Sequence, residues 1–154
     1  MKIEYLADCI EHVPVLAKWF HNEWGYLLPE IKFEDRKKRL YARANRESIP
    51  IAFVAVEGKE PVGSASIVEC DMDTHSHLKP WLSSVYVASD YRNRGIGAAL
   101  VTRVIEEARV AGFSNVYLWT PKKEKFYAKR GWVLIERTTY KKENASVMEY
   151  LLEE

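Results

Sequence analysis

The chain is poor in several things at once. It has two cysteines in 154 residues, Cys9 and Cys70. They lack the spacing of metal ligands, so the expectation is two reduced thiols rather than a zinc site or a disulfide framework. It has almost no net charge: 23 Lys and Arg against 22 Asp and Glu leave +1. A balance that even gives no reason to expect nucleic acid or a membrane surface as partner. No apolar run approaches the ~20 residues of a membrane span. The start, MKIEYLADCI, has no apolar signal core, so a cytoplasmic location is expected. Glycine is scarce as well, seven in all, which makes each placement informative.

What remains is enough for one domain over residues 1–154. A hydrophobic share of 47% suffices to bury a sizeable core. KIEYLA reads as a first strand. DCIEHVPVLAKWFHNEWG places Ile10, Val13, Leu16, Ala17, Phe20 and Trp24 at helical spacing, with Asp8 as N-cap and Gly25 as stop. FEDRKKRLYARANRE reads as a second helix with a solvated basic run. IPIAFVAVEGKEPVGSASIVEC is two apolar runs around a turn, hence a hairpin. DMDTHSHLKP is a polar loop and WLSSVYV a strand. Residues 95–111 form an amphipathic helix ended by Gly112. NVYLWT is a strand, PKKEKFYAKRG a short helix, and WVLIERTTY and SVMEYLL a closing pair of strands. The order β-α-α-β-β-β-α-β-α-β-β predicts a mixed α/β domain, with a parallel crossover from Trp81 to Thr120.

The informative stretch is YVASDYRNRGIGAALV. A helix opens with unpaired N–H groups and a partial positive charge. Gly95 and Gly97 let a ligand approach that backbone closely, and Arg92 and Arg94 add charge. Together they form a phosphate site; alternatively, the glycines serve only a tight strand-to-helix turn. A dinucleotide fingerprint would require a third glycine where Leu100 stands, and a P-loop would require Gly-Lys-Ser/Thr. Neither is present.

The stretch resembles motif A of the GNAT superfamily of acetyl-CoA-dependent N-acetyltransferases, Gln/Arg-x-x-Gly-x-Gly/Ala, matched by Arg92, Gly95 and Gly97. KFYAKRGW is similar to the family's Phe-Tyr-x-x-x-Gly-aromatic segment, through Phe126, Tyr127, Gly131 and Trp132. The resemblance implies a GNAT-like acyl-CoA N-acyltransferase fold: a mixed sheet of about seven strands, two of them splayed, and about four helices. It implies that the diphosphate of acetyl-CoA lies on the amides of Asn93, Arg94, Gly95, Ile96, Gly97 and Ala98. The pantetheine arm then runs along Val85, Tyr86 and Val87, near Phe126. Thr120, where the family often has Asn, is a further expected contact to that arm. Lys123 stands where the family often has Ala.

Acyl transfer to an amine needs a neutral nitrogen, donors for the oxyanion and a proton for the thiolate. The Val87 N–H is the expected oxyanion donor. Tyr127, with an ordinary pKa near 10, is the expected acid. The base is open among Glu69, Asp71, Asp73, His75 and His77. Glu23, Trp24, Glu69 and Trp81 are expected on the acceptor side. No metal is expected, and no cysteine sits at the reaction centre, so direct attack in a ternary complex follows. The acceptor is a small-molecule or peptide amine, and the acidic ECDMD stretch is compatible with a cationic one. Monomer and homodimer are both compatible with the sequence. The alternatives are a CoA-binding regulatory module without turnover and a nucleotide-binding protein using the same glycine turn.

Overall fold

The computed structural model describes residues 1–152; Glu153 and Glu154, the end of the expected domain, lie outside the described residues. Its strands are β1 (Lys2–Tyr5), β2 (Ile51–Glu57), β3 (Glu60–Val68), β4 (Trp81–Val87), β5 (Asn115–Thr120), β6 (Val133–Tyr140) and β7 (Glu143–Leu151). Its helices are α1 (Val13–Trp24), α2 (Phe33–Tyr41), α3 (Ile96–Val110) and α4 (Glu124–Ala128). The strands form one mixed sheet in the order β1-β2-β3-β4-β5-β7-β6. Every neighbouring pair is antiparallel except β4 and β5, which are parallel. The expected crossover from Trp81 to Thr120 is that parallel pair, with α3 between its strands.

Period-2 alternation sorts the sheet's side chains onto two faces. Ile51, Phe53 and Ala55 of β2, Val62, Ala65 and Ile67 of β3, and Val116 and Leu118 of β5 pack under α3. The α3 stripe that meets them is Leu100, Val101, Val104, Ile105 and Ala108, with Tyr127 and Trp132 completing the layer. The other face carries two apolar patches. Ala52, Val54 and Val56 lie with Val13, Leu16, Ala17 and Phe20 of α1 and Leu40 of α2. Val68, Trp81, Tyr140, Ala145 and Val147 form the second patch.

Three local expectations are changed. α1 begins at Val13, and residues 6–12 form two 3-10 turns instead of its first turns. Pro14 explains this: without an N–H it suits a helix's first turn but not its interior. Asp8 therefore caps nothing and pairs with Arg46 at 3.3 Å. α2 stops at Tyr41, nine residues into the charged run that ends at Glu47. β7 starts at Glu143, earlier than its apolar run, because Lys141 and Lys142 both take positive φ (47° and 66°) and close a tight hairpin without glycine or asparagine.

Candidate active site

The site is an opening in the sheet. β4 and β5 pair at a single register, Trp81 with Tyr117, where the Tyr117 N–H reaches Pro80 O at 2.9 Å. Beyond it the strands part. The cause lies in β4: between Ser64↔Tyr86 and Ser66↔Ser83, one residue of β3 faces two of β4. That is a β-bulge, and Ser84 holds it at φ 56°. After the bulge β4 stays with β3 and turns away from β5.

The ladder fixes which main-chain groups face the gap. In an antiparallel pair, alternate residues direct N–H and C=O to opposite sides. The Ala88 N–H goes to Val62 O at 2.8 Å, so Val87 and Val85 direct theirs toward β5, which is no longer there to pair. The Arg92 Nε donates to Val87 O at 2.9 Å.

At the end of β4 the chain turns into α3. Asn93 (φ 64°) and Gly95 (φ 81°) are left-handed, and Gly95 is the N-cap of α3 without a side-chain cap bond. The result is a concave run of amides at the positive end of a 15-residue helix. Its glycines differ in purpose. Gly95 is required by its φ. Gly97 is not: a Cβ there would sit 3.6 Å from Val87 Cγ2 and 3.8 Å from Phe126 Cζ, ordinary contacts. Arg92 and Arg94 lie over the rings of Tyr86 and Tyr91, at 5.4 and 5.0 Å.

Tyr127 shares the α3-side cluster with Val85, Val87 and Phe126. Its ring is 8% exposed. Burial pushes its pKa up to about 12, opposed only in part by Arg130, so the phenol is protonated at neutral pH. Phe126 stands edge-on to it at 5.0 Å and carries the Arg130 guanidinium 3.8 Å above its ring.

The opposite face of the opening holds a polar seam between the two apolar patches. Ser83 donates to Asp71 Oδ1 at 2.7 Å, with the Trp119 side chain of β5 close to the same carboxylate. Arg43, just after α2, donates through Nη1 to Ser66 and Ser84, both at 3.1 Å. Burial pushes the Asp71 pKa up to about 6, against Ser83, Arg43 and Trp119, which all lower it. None of Arg43, Ser66, Ser83, Ser84 or Trp119 was expected in the site. The adjacent serines inside an otherwise apolar strand, WLSSVYV, are the signal that locates the bulge.

The profile of the acetyltransferase (GNAT) family matches residues 13–132. The chain belongs to that family. An uncharacterized N-acetyltransferase of Methanocaldococcus jannaschii is 33% identical over 88 residues, 52% of this chain and 38% of that protein. The chain thus matches well under half the length of that relative. Among solved structures, the ribosomal-protein-alanine N-acetyltransferase of Brucella melitensis superposes with a TM-score of 0.75 at 20% identity, covering 99% of this chain and all of the other. An aminoglycoside 6'-N-acetyltransferase complexed with coenzyme A gives 0.71 at 19% identity, covering 98% and 97%. These likenesses establish the GNAT fold.

Against this GNAT frame, one expected contact is corrected and another shares its hydroxyl with a turn. Trp81 is fully buried, with its indole N–H donated to Leu78 O at 2.6 Å, so it packs the sheet and meets no acceptor. Thr120 is buried too, and its Oγ1 accepts the amides of Lys122 and Lys123 at 3.4 and 3.0 Å. It holds the turn into α4 as an acceptor, which leaves its own O–H as a donor. Only the amide of Ile96 is available to a ligand, because its side chain is in the core. Trp24 stands edge-on to Tyr86 at 6.1 Å, on the face of the seam. Glu23 is exposed, and Glu69 is exposed with Lys79 at 3.4 Å. Among the described residues no three His, Cys, Asp or Glu gather as a metal site, and no helix is long and apolar enough to cross a membrane.

Proposed function

We propose that this GNAT domain transfers an acetyl group from acetyl-CoA to a primary amine, by direct attack within a ternary complex. The observation that carries the reading is the opening itself: a parallel pair that parts after one register and leads straight to an uncapped helix N-terminus. The amides from Asn93 to Ala98 fit a diphosphate, and Gly97 leaves the approach clear. The main chain of Val85 offers an arm the pairing that β5 has vacated, while Val87 O accepts from Arg92. Acetyl-CoA, bound there, supplies an activated thioester.

The chain's own groups then have distinct tasks. The Val87 N–H supplies an oxyanion donor, of a kind whose loss typically raises a barrier by about 3–4 kcal/mol. Tyr127, protonated at neutral pH, is the acid for the leaving sulfur, and it regains a proton from the nitrogen. Trp24, Tyr86 and Glu23 stand on the acceptor side. The structural neighbours include an aminoglycoside 6'-N-acetyltransferase and a ribosomal-protein-alanine N-acetyltransferase, so two acceptor chemistries occur on this fold.

Calorimetry with coenzyme A, followed by thiol release from acetyl-CoA in the presence of kanamycin, spermidine, lysine and an alanine-terminated peptide, tests this. Binding with turnover of at least one amine is expected. Binding without any turnover would favour a regulatory CoA module, and no binding would remove the reading altogether.

A further inference from the structure

We infer that Asp71 is the proton acceptor for the incoming amine, because its carboxylate stands where β4 and β5 part and faces the opening from the acceptor side. The inference rests on the acetyl-transfer reading above and names the base that the reading leaves open.

The five titratable residues of the β3–β4 connection are sorted by their partners. Glu69 is at the surface with Lys79. Asp73 accepts from the Tyr140 hydroxyl at 3.1 Å. His75 is bound to Glu136 at 2.6 Å and to Thr74 at 2.8 Å, and His77 stacks on His75. All four are tied along the outside, toward β6 or the loop itself. Asp71 alone among these five reaches inward, bound to Ser83 of β4 at the mouth, with Trp119 of β5 beside it.

The hydrogen bonds around it have a direction. Ser83 has one proton and gives it to Asp71. The 3.1 Å contact between Ser83 and Ser84 must then be donated by Ser84. Ser84 in turn accepts from Arg43. The chain Arg43 to Ser84 to Ser83 to Asp71 therefore delivers donors only, and Asp71 is its terminal acceptor. A carboxylate held this way is ionised yet has lone pairs left for a proton arriving from the opening. The charged and titratable groups around it are Arg43, with Arg39 of α2 behind it, and Tyr140 of β6 with Asp73. Burial makes it a stronger base than an ordinary aspartate, about 6 against 3.8, while leaving it mostly ionised at neutral pH.

In the step, Asp71 takes one proton from the ammonium. The nitrogen pair forms the C–N bond to the acetyl carbon. The C–S bond breaks with its pair on sulfur, and the second nitrogen proton ends on that sulfur. Asp71 then returns its proton to solvent. No oxidant or further reactant is needed.

The test is the pH dependence of kcat/KM, using whichever amine of the panel the wild type turns over fastest. Wild type should lose activity about tenfold per pH unit below about 6. Asp71→Asn should abolish that limb and lower kcat/KM at pH 7 by about 10²–10³, with coenzyme A affinity within twofold by calorimetry. Ser83→Ala keeps the carboxylate but removes a donor that favours its charged form, so the limb should move to higher pH. An Asp71→Asn enzyme that keeps the limb, or a Ser83→Ala limb that stays put, overturns the assignment alone. Should Asp71→Asn fail to fold, Ser83→Ala still decides. A wild type that turns over no amine of the panel overturns the acetyl-transfer reading as well.

Discussion

The two sides of the β4–β5 opening are made of different material. On the α3 side the site is main chain, drawn from one contiguous stretch, Arg92 to Ala98, and its geometry depends on glycine. On the other side it is side chain, drawn from separated stretches: Arg43, Ser66, Asp71, Ser83, Ser84 and Trp119. The first is suited to holding a large anion whose chemistry never changes. The second is suited to moving a proton, which needs a group of tuned basicity rather than a cradle. The division teaches that binding and turnover should be separable by mutation.

Tyr127 is the residue most able to break that division, because it belongs to the α3-side cluster yet is assigned to turnover. Tyr127→Phe should lower kcat by about 10²–10³, roughly 3–4 kcal/mol, while coenzyme A affinity changes by less than threefold. Its pKa near 12 means the wild-type phenol holds its proton throughout the assay range, so the variant should neither gain nor lose a limb below pH 9. Steady-state kinetics beside calorimetry decides it; unchanged turnover removes Tyr127 from the mechanism, and a matching loss of affinity dissolves the division.

The second prediction concerns stability. The folded Asp71 pKa, about 6, lies above its ordinary value of 3.8. The folded state therefore binds this proton more tightly than the unfolded state does. The stabilisation is fully present below about pH 4 and is lost as pH rises through 6, amounting to about 3 kcal/mol (the shift of roughly two units at 1.36 kcal/mol each). At pH 7 the ionised carboxylate is thus a burden on the fold. Asp71→Asn should raise Tm at pH 7 by several degrees and much less at pH 4. A variant that loses most activity while gaining stability marks a residue kept for chemistry. A lower Tm at pH 7 would instead make Asp71 a structural partner of Arg43.

The same contrast explains what the sequence shows. The cradle is readable because its residues are consecutive and the resemblance rests on glycine spacing. All seven strands and four helices are readable because each carries its own periodicity. The seam is not, because Arg43 looks like part of a solvated basic run and Asp71 is one acid in an acidic loop. Only the bulge at Ser84 brings them together. Trp81 misleads for a related reason: an aromatic at a strand's start reads the same whether it faces a ligand or the core. The Thr120 turn is not readable either, because the amides its hydroxyl accepts are placed by the start of α4.

The smallest predicted effect tests the cradle on its own terms, by separating its two glycines. Gly95→Ala places a side chain at φ 81°, which costs about 1–2 kcal/mol. It should lower Tm and coenzyme A affinity together. Gly97→Ala meets only ordinary contacts with Val87 and Phe126 and replaces a poor helix former in the first turn of α3. It should leave Tm unchanged or slightly raised. Yet the added methyl narrows the approach to the amides, so affinity for coenzyme A should fall about tenfold, near 1.4 kcal/mol. Stability and affinity would then move apart at Gly97 and together at Gly95. If Gly97→Ala binds coenzyme A as wild type does, the space beside Gly97 serves only the turn, and the diphosphate must be sought elsewhere on the opening.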